Sequence, residues 1–255
     1  MQQNKRLIPL WIIFLLYSFC LMTMEMNFGI LLSVWASGLA VFLLIKTKLP
    51  SKKGIIISII FAVLVSIAYL GIRAEISSLV INGLLNGVPA FLCSLAVFSV
   101  KEKCGGMRFI STDKKYSPLV SILIAIAVGA VLSVVNYFLM KGSNTVDFEI
   151  NISRLTVCLS PAIYEEIVCR AIFMAFCLYI AGSEKPTKFL TFTMWFMMCV
   201  PHTAAHGYDI AGTVVLCVLF GLPFTFLQRK RDISSAMISH GLVDAVRFTI
   251  FGLGM

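Results

Sequence analysis

Two adjacent glutamates and an arginine interrupt the apolar segment SPAIYEEIVCRAIF. They are Glu165, Glu166 and Arg170. On a helix, Glu166 and Arg170 share one face in the order that favours an ion pair, whereas Glu165 is turned about 100° from Glu166. The pattern predicts that Arg170 neutralises one carboxylate and leaves the other available for chemistry. A structural ion pair with a spare glutamate beside a polar neighbour is the alternative.

The three histidines all lie in the C-terminal part of the chain. His202 and His206 occur in VPHTAAHG, and His240 occurs in AMISHGLVDAVRF with Asp244 four residues later. That spacing places His240 and Asp244 on the same helix face. A single histidine on an apolar helix is often only a hydrogen-bonded core residue. Imidazoles together with carboxylates are the usual groups that activate water, so His202 and His240 favour general acid–base chemistry with the glutamates.

A divalent metal is a second way to use the same residues. Two imidazoles and a carboxylate would suit Zn²⁺ in a catalytic site, with water as the fourth ligand. The sequence contains no HExxH motif. A mechanism that uses glutamate without a metal is equally compatible with these residues, and the two alternatives stay open at this point.

The composition indicates an integral membrane protein. Of the 255 residues, 59% are hydrophobic and 13% are charged, and the mean hydropathy is +0.95. A soluble domain is less apolar and about twice as rich in charge, so that class is excluded. Continuous apolar runs predict helices, because the strands of a membrane barrel alternate apolar and polar residues. The expected fold is an all-α, polytopic transmembrane helix bundle in a lipid bilayer.

Apolar runs of about 20 residues are long enough to cross the hydrocarbon layer. Runs of suitable composition cover residues 7–24, 28–45, 54–72, 76–100, 118–140, 155–181, 189–200, 210–227 and 233–253. The seventh run is short, so eight or nine spans are expected. An ionisable group inside such a span is costly, and each one is therefore a candidate functional residue.

The basic residues give the orientation and the organisation of the chain. The net charge is +9, but Lys and Arg are concentrated at the N-terminus and in alternate short loops. This pattern favours anchoring at the cytoplasmic side over nucleic-acid binding, and with nine spans it places the N-terminus inside and the C-terminus outside. The long basic connection 101–117 divides an N-terminal four-span region, residues 1–117, from a C-terminal region, residues 118–255.

Three motifs in the C-terminal region resemble those of one family. EEIVCR reads as EExxxR, and Met198 to His202 stands where the family has FxxxH, with Met in place of Phe. His240 and Asp244 match a His followed four residues later by Asn or Asp. The order and spacing are similar to those of the CPBP intramembrane proteases, which include the type II CAAX prenyl endopeptidases and the bacterial Abi proteins. The resemblance covers residues 118–253.

The resemblance implies a role for each matched residue. Glu165 would be the general base that activates water, while Glu166 and Arg170 would hold the helix face and could contact substrate. His202 and His240 would assist water activation and stabilise the tetrahedral intermediate.

Two further residues lie at the edge of the pattern. Asp244 stands where many relatives have Asn, and an ionised Asp cannot donate a hydrogen bond, so we expect Asp244 to orient His240. His206 lies outside the motifs and is expected to contact the residues that carry the chemistry without taking part in it.

The expected function is therefore hydrolysis of a peptide bond by an endopeptidase within the membrane. Its partners would be the lipid bilayer and a membrane-associated protein or peptide substrate, with no nucleic acid. Its location would be the cell membrane of a bacterium. The alternatives are a non-catalytic binding or immunity protein that uses the same pocket, and a proton-coupled transporter, against which the lack of a repeated half argues.

Overall fold

The predicted fold class is confirmed by a computed structural model. The structure describes residues 2–23, 28–70, 76–112, 117–142 and 144–253, and every regular element within these ranges is a helix. The chain is therefore all-α over its described part. Residues 24, 71 and 72, at the ends of two predicted runs, and the predicted loop residues 25–27, 73–75 and 113–116 lie outside the described residues.

The α-helices are numbered in chain order. They are α1 (Gln2–Arg6), α2 (Ile8–Thr23), α3 (Phe28–Thr47), α4 (Lys52–Ile67), α5 (Ile76–Asn82), α6 (Val88–Cys104), α7 (Pro118–Met140), α8 (Ile152–Val157), α9 (Ile172–Ala181), α10 (Lys188–Ala204), α11 (Ile210–Leu216), α12 (Leu222–Lys230) and α13 (Ile233–Phe251). Three π-helical segments join consecutive α-helices, at Gly83–Gly87, Ser160–Ala171 and Cys217–Gly221. Within the described residues, each apolar run of the sequence overlaps one of these helices or such a joined series.

Five helices in the described ranges are long and apolar enough to cross a membrane. They are Gln2–Thr23, Gly29–Thr47, Ile76–Cys104, Pro118–Met140 and Ile210–Lys230. Together with the composition, these helices make the chain a multi-pass membrane protein. The count of eight or nine spans, and the division at residues 101–117, stay predictions.

The segment Ser160–Ala171, here called the central π-helix, lies with α9 in the middle of the bundle. Nearly all residues of α9 are buried, and α3, α6 and α10 pack around α9. The central π-helix is covered by α6, α10 and α13. The main apolar core draws side chains from both predicted regions, from Leu7 on the N-terminal side to Met237 on the C-terminal side. The two glutamates therefore lie on a largely buried helix in the middle of the bundle.

Local capping positions the two helices that carry histidines. Thr187 begins α10 by accepting a hydrogen bond from the backbone N–H of Leu190. Asp232 begins α13 by accepting from the backbone N–H of Ser235 at 2.7 Å, and its second oxygen accepts from the N–H of Ser111. Such caps satisfy donors that the first turn leaves free, so both helices have defined start points.

The loop charges predict the orientation of the two ends of the chain. A reporter protein fused after Met255 should behave as external, because an odd number of spans follows a cytoplasmic N-terminus. Accessibility of the fused reporter to a membrane-impermeant reagent in intact cells would measure this. Cytoplasmic activity of the reporter would mean that the short seventh run does not cross the membrane.

Candidate active site

Three helical segments bring the predicted residues together. Glu165 and Glu166 come from the central π-helix, His202 comes from the C-terminal end of α10, and His240 with Asp244 comes from α13. The histidines and Asp244 lie within hydrogen-bonding or ion-pairing distance of a glutamate or of one another. The sequence placed these residues on three separate apolar runs, and the packing of the runs makes them neighbours.

Glu166 is enclosed by donors. Its side chain is completely buried, and its Oε1 atom accepts from Arg170 Nη1 at 2.5 Å and faces His240 Nδ1 at 2.7 Å. Its Oε2 atom accepts from Gln228 Nε2 at 2.7 Å. The ion pair that the four-residue spacing predicted is therefore present. With both oxygens bound by donors from three helices, Glu166 is poorly placed to take a proton from water.

Glu165 is the accessible member of the pair. About a quarter of its side chain, 24%, is exposed, whereas the side chain of Glu166 has no exposed surface. Its Oε2 atom lies 2.9 Å from His202 Nε2 and 3.5 Å from His240 Nε2. This carboxylate is partly accessible and lies beside two imidazoles, so it is placed to act as a general base on a water molecule that reaches it.

Arg170 determines how His202 is protonated. Its Nη2 atom lies 3.1 Å from His202 Nδ1, and a guanidinium can only donate. The Nδ1 atom must therefore accept, and the proton of the neutral ring lies on Nε2. That N–H points to Glu165, so the buried arginine orients both Glu166 and His202.

His240 is held on its ring face and at both nitrogens. Its Nδ1 atom lies against Glu166, and its Nε2 atom faces Asp244 at 3.3 Å as well as Glu165. The ring of Phe224 stacks on it with a centroid distance of 4.4 Å and an interplanar angle of 17°. Asp244 therefore contacts His240, as its expected orienting role needs, but the contact of His240 with Glu166 is shorter.

Residues 148–246 match the family model described as type II CAAX prenyl endopeptidase Rce1-like. This segment is similar to that family, and it is called the Rce1-like domain below. It covers less than half of the chain, and it contains every residue of the three motifs. Comparison with curated proteins and with solved structures gives no match.

The helix that carries EExxxR in the Rce1-like domain differs from the expected α-helix. Residues Ser160–Ala171 form a π-helix, so the angle derived from 3.6 residues per turn is wrong here. Pro161 lies near its start and lacks the N–H that would continue an α-helical ladder. π-Helical turns occur frequently at functional sites. Glu166 and Arg170 still pair, because residues four apart remain neighbours on the wider turn.

Among the described residues, Glu165, His202 and His206 form a group that could hold a metal. Their nearest ligand atoms lie within 4.8 Å of one another, and this is the group of metal-binding type found in the described part of the chain. A metal on His202 Nε2 would need that nitrogen without its proton, which would place a proton on Nδ1 against the guanidinium of Arg170. The donor set therefore fits a catalytic zinc poorly, and no step is assigned to a metal.

The ring of His206 lies beside that of His202. The ring centroid of His206 is 5.0 Å from that of His202, and His206 follows the last turn of α10. His206 is exposed, so it borders the site at the end of the helix rather than underneath it.

Sequence reasoning missed two residues of α12, Phe224 and Gln228. They are 1% and 2% exposed, and they contact His240 and Glu166 respectively. The sequence holds one signal for them, because Gln228 is a polar residue at the end of an apolar run and follows Phe224 by four residues. That spacing places both on one face, but it does not indicate which helix the face meets.

Proposed function

We propose that this protein is an intramembrane endopeptidase that hydrolyses a peptide bond of a membrane-associated protein or peptide. The Rce1-like family is a protease family, which supports peptidase activity at the level of the family. The observation that carries the proposal is the contrast between the two adjacent glutamates. Glu165 is partly exposed between two imidazoles, while Glu166 is saturated by donors.

Glu165 acts first in the proposed reaction. Its carboxylate takes a proton from a water molecule held beside it, and the resulting hydroxide attacks the carbonyl carbon of the scissile peptide bond. The tetrahedral intermediate then collapses, the C–N bond breaks, and the proton on Glu165 passes to the leaving amine. Glu165 is thus restored as a carboxylate, as general acid–base catalysis requires.

The two histidines support this step in different ways. His202 presents Nε2–H to Glu165, which fixes the carboxylate and places a donor beside the attacking water. The Nε2 atom of His240 lies between Glu165 and Asp244. When this nitrogen carries a proton, it can donate to the oxyanion, and fixed donors in a site with little water stabilise such charge strongly.

Asp244 supports His240 rather than the oxyanion. An ionised carboxylate only accepts, so Asp244 stabilises the imidazolium form of His240 across the 3.3 Å contact. Arg247 lies 3.9 Å from Asp244 on the next turn and balances part of its charge. The carboxylate at Nδ1, which is the position that the aspartate of a catalytic triad has beside its histidine, belongs to Glu166.

A comparison of membrane peptides tests the proposed function. Cells that carry the wild-type chain and cells that carry Glu165→Ala should differ in a set of peptide fragments, with uncleaved precursors accumulating in the variant. Glu184→Ala is the matched control, because Glu184 is an exposed glutamate that accepts a hydrogen bond from Gln3 and not from a residue of the site. Identical peptide patterns in wild-type and Glu165→Ala cells, with equal protein levels, would favour a binding protein over a protease.

A further inference from the structure

Gln228 interacts with the main chain and the side chain of one residue. Its Nε2 atom donates to the backbone carbonyl of Glu166 at 2.9 Å and to Glu166 Oε2 at 2.7 Å. Both partners are acceptors, so the NH₂ end of the amide must face Glu166. Gln228 therefore fixes the rotamer of this carboxylate relative to its own backbone.

The position is costly for a polar residue. Gln228 is 2% exposed, and its Oε1 atom is buried without a hydrogen-bond partner among the described residues. An unmet acceptor in a buried site is destabilising, and this cost offsets part of what the two hydrogen bonds to Glu166 contribute. The two bonds to Glu166 are therefore the property that distinguishes glutamine from an apolar residue at this position.

The effect of Gln228 extends to His240 through Glu166. The carboxylate that Gln228 holds presents Oε1 to His240 Nδ1, and Phe224, four residues before Gln228, stacks on the same imidazole. An ionised Glu166 accepts only, so it keeps a proton on Nδ1 and leaves Nε2 as the nitrogen that faces Glu165. One face of α12 thus contacts both the carboxylate and the ring that it orients.

We propose that Gln228 is a positioning residue, which holds Glu166 so that His240 keeps its Nδ1–H on Glu166 and one orientation of its ring toward Glu165. The inference rests on the proposed function, because it assigns Gln228 to the same reaction. Gln228 does not touch the reacting atoms. Replacement of Gln228 should leave Glu165 in place and should change the orientation of the His240 ring, which contacts the other carboxylate oxygen of Glu166.

The direct test is nuclear magnetic resonance of the chain in detergent micelles with ¹⁵N-labelled histidine. In the wild type, the Nδ1–H of His240 should give a hydrogen-bonded proton signal that exchanges slowly with water. In Gln228→Met, which keeps the volume and removes both donors, this proton should exchange faster and the ring signals of His240 should shift. Thr225→Val is the control, since buried Thr225 lies on the same helix and bonds Met198 instead of Glu166. Unchanged His240 signals in folded Gln228→Met would overturn the proposal.

A second measurement covers the case in which Gln228→Met folds poorly. Gln228→Asn keeps an amide but is too short to reach both acceptors, so it should shift the same signals to a smaller extent. The melting midpoint should fall more when Gln228→Met is introduced into the wild type than into Glu166→Gln. A neutral glutamine at position 166 loses less stability than a buried carboxylate when one hydrogen-bond donor is removed. Equal losses in the two backgrounds would also contradict the proposed coupling.

Kinetics with a farnesylated CAAX peptide separate this inference from the proposed function. For cleavage of this probe, Gln228→Met should lower kcat by about 10–100-fold with KM little changed, which is typical when a partner that orients a functional histidine is lost. A wild-type chain that cleaves neither this probe nor the accumulated precursors would count against the proposed function. The signals of His240 would still report whether Gln228 positions it.

Discussion

Replacement of Glu165 by Gln is expected to lower turnover by about 10²–10⁴-fold, the usual contribution of a positioned acid–base group. The two side chains have nearly the same shape, and Glu165 has the exposed surface that allows water to reach it. The amide cannot accept the proton of water, so the chemical step should fail while the fold persists. The assay is cleavage of an identified substrate by purified variants folded in detergent.

Glu166→Gln is the matched comparison for this experiment. The same chemical change at the neighbouring residue removes a buried charge from the contacts with Arg170 and His240. We expect it to act mainly through structure and to leave some activity in the protein that stays folded. Wild-type turnover in Glu165→Gln, together with complete loss in a folded Glu166→Gln, would require the two roles to be exchanged.

Replacement of Arg170 by Ala should lose both stability and activity. The guanidinium is 2% exposed and pairs with a carboxylate that has no exposed surface. A buried charge that loses its partner typically costs about 3–5 kcal/mol, although Gln228 and His240 still donate to Glu166 and should reduce that value. Activity should fall as well, because His202 loses the donor that keeps its proton on Nε2.

The double variant Glu166→Gln with Arg170→Gln separates these two effects. It removes both charges, so the melting midpoint in detergent should recover toward that of the wild type. Activity should not recover, since neither glutamine restores the guanidinium contact with His202. Equal melting midpoints for Arg170→Ala and for the double variant would show that the buried pair does not act as proposed.

Local spacing in the sequence was sufficient for part of the site. The Glu166–Arg170 pair and the His240–Asp244 contact each join residues four apart on one helix. Such contacts depend on the helical repeat alone, and they survive even where the helix is of the π type. The apolar runs likewise predicted the helices, because a long segment without polar residues has few other ways to satisfy its backbone in a membrane.

The contacts between helices could not be read in this way. The contacts of Arg170 with His202, of His240 with Glu166 and of Gln228 with Glu166 join residues 32, 74 and 62 positions apart. No periodicity in the sequence indicates which apolar helix faces pack against each other. The role of α12 was missed for this reason, although its residues Phe224 and Gln228 complete the site.

The sequence by itself determined that the protein is helical and membrane-embedded, and it determined which residue types are available for hydrolysis. The tertiary structure decided how the two adjacent glutamates differ. Glu166 became the saturated, buried carboxylate because α12 and α13 supply donors to it in addition to Arg170. Glu165 remained partly exposed between His202 and His240. Helical spacing separates the two side chains by angle, but only the packing of neighbouring helices determines how many donors each carboxylate receives and which of them water can reach.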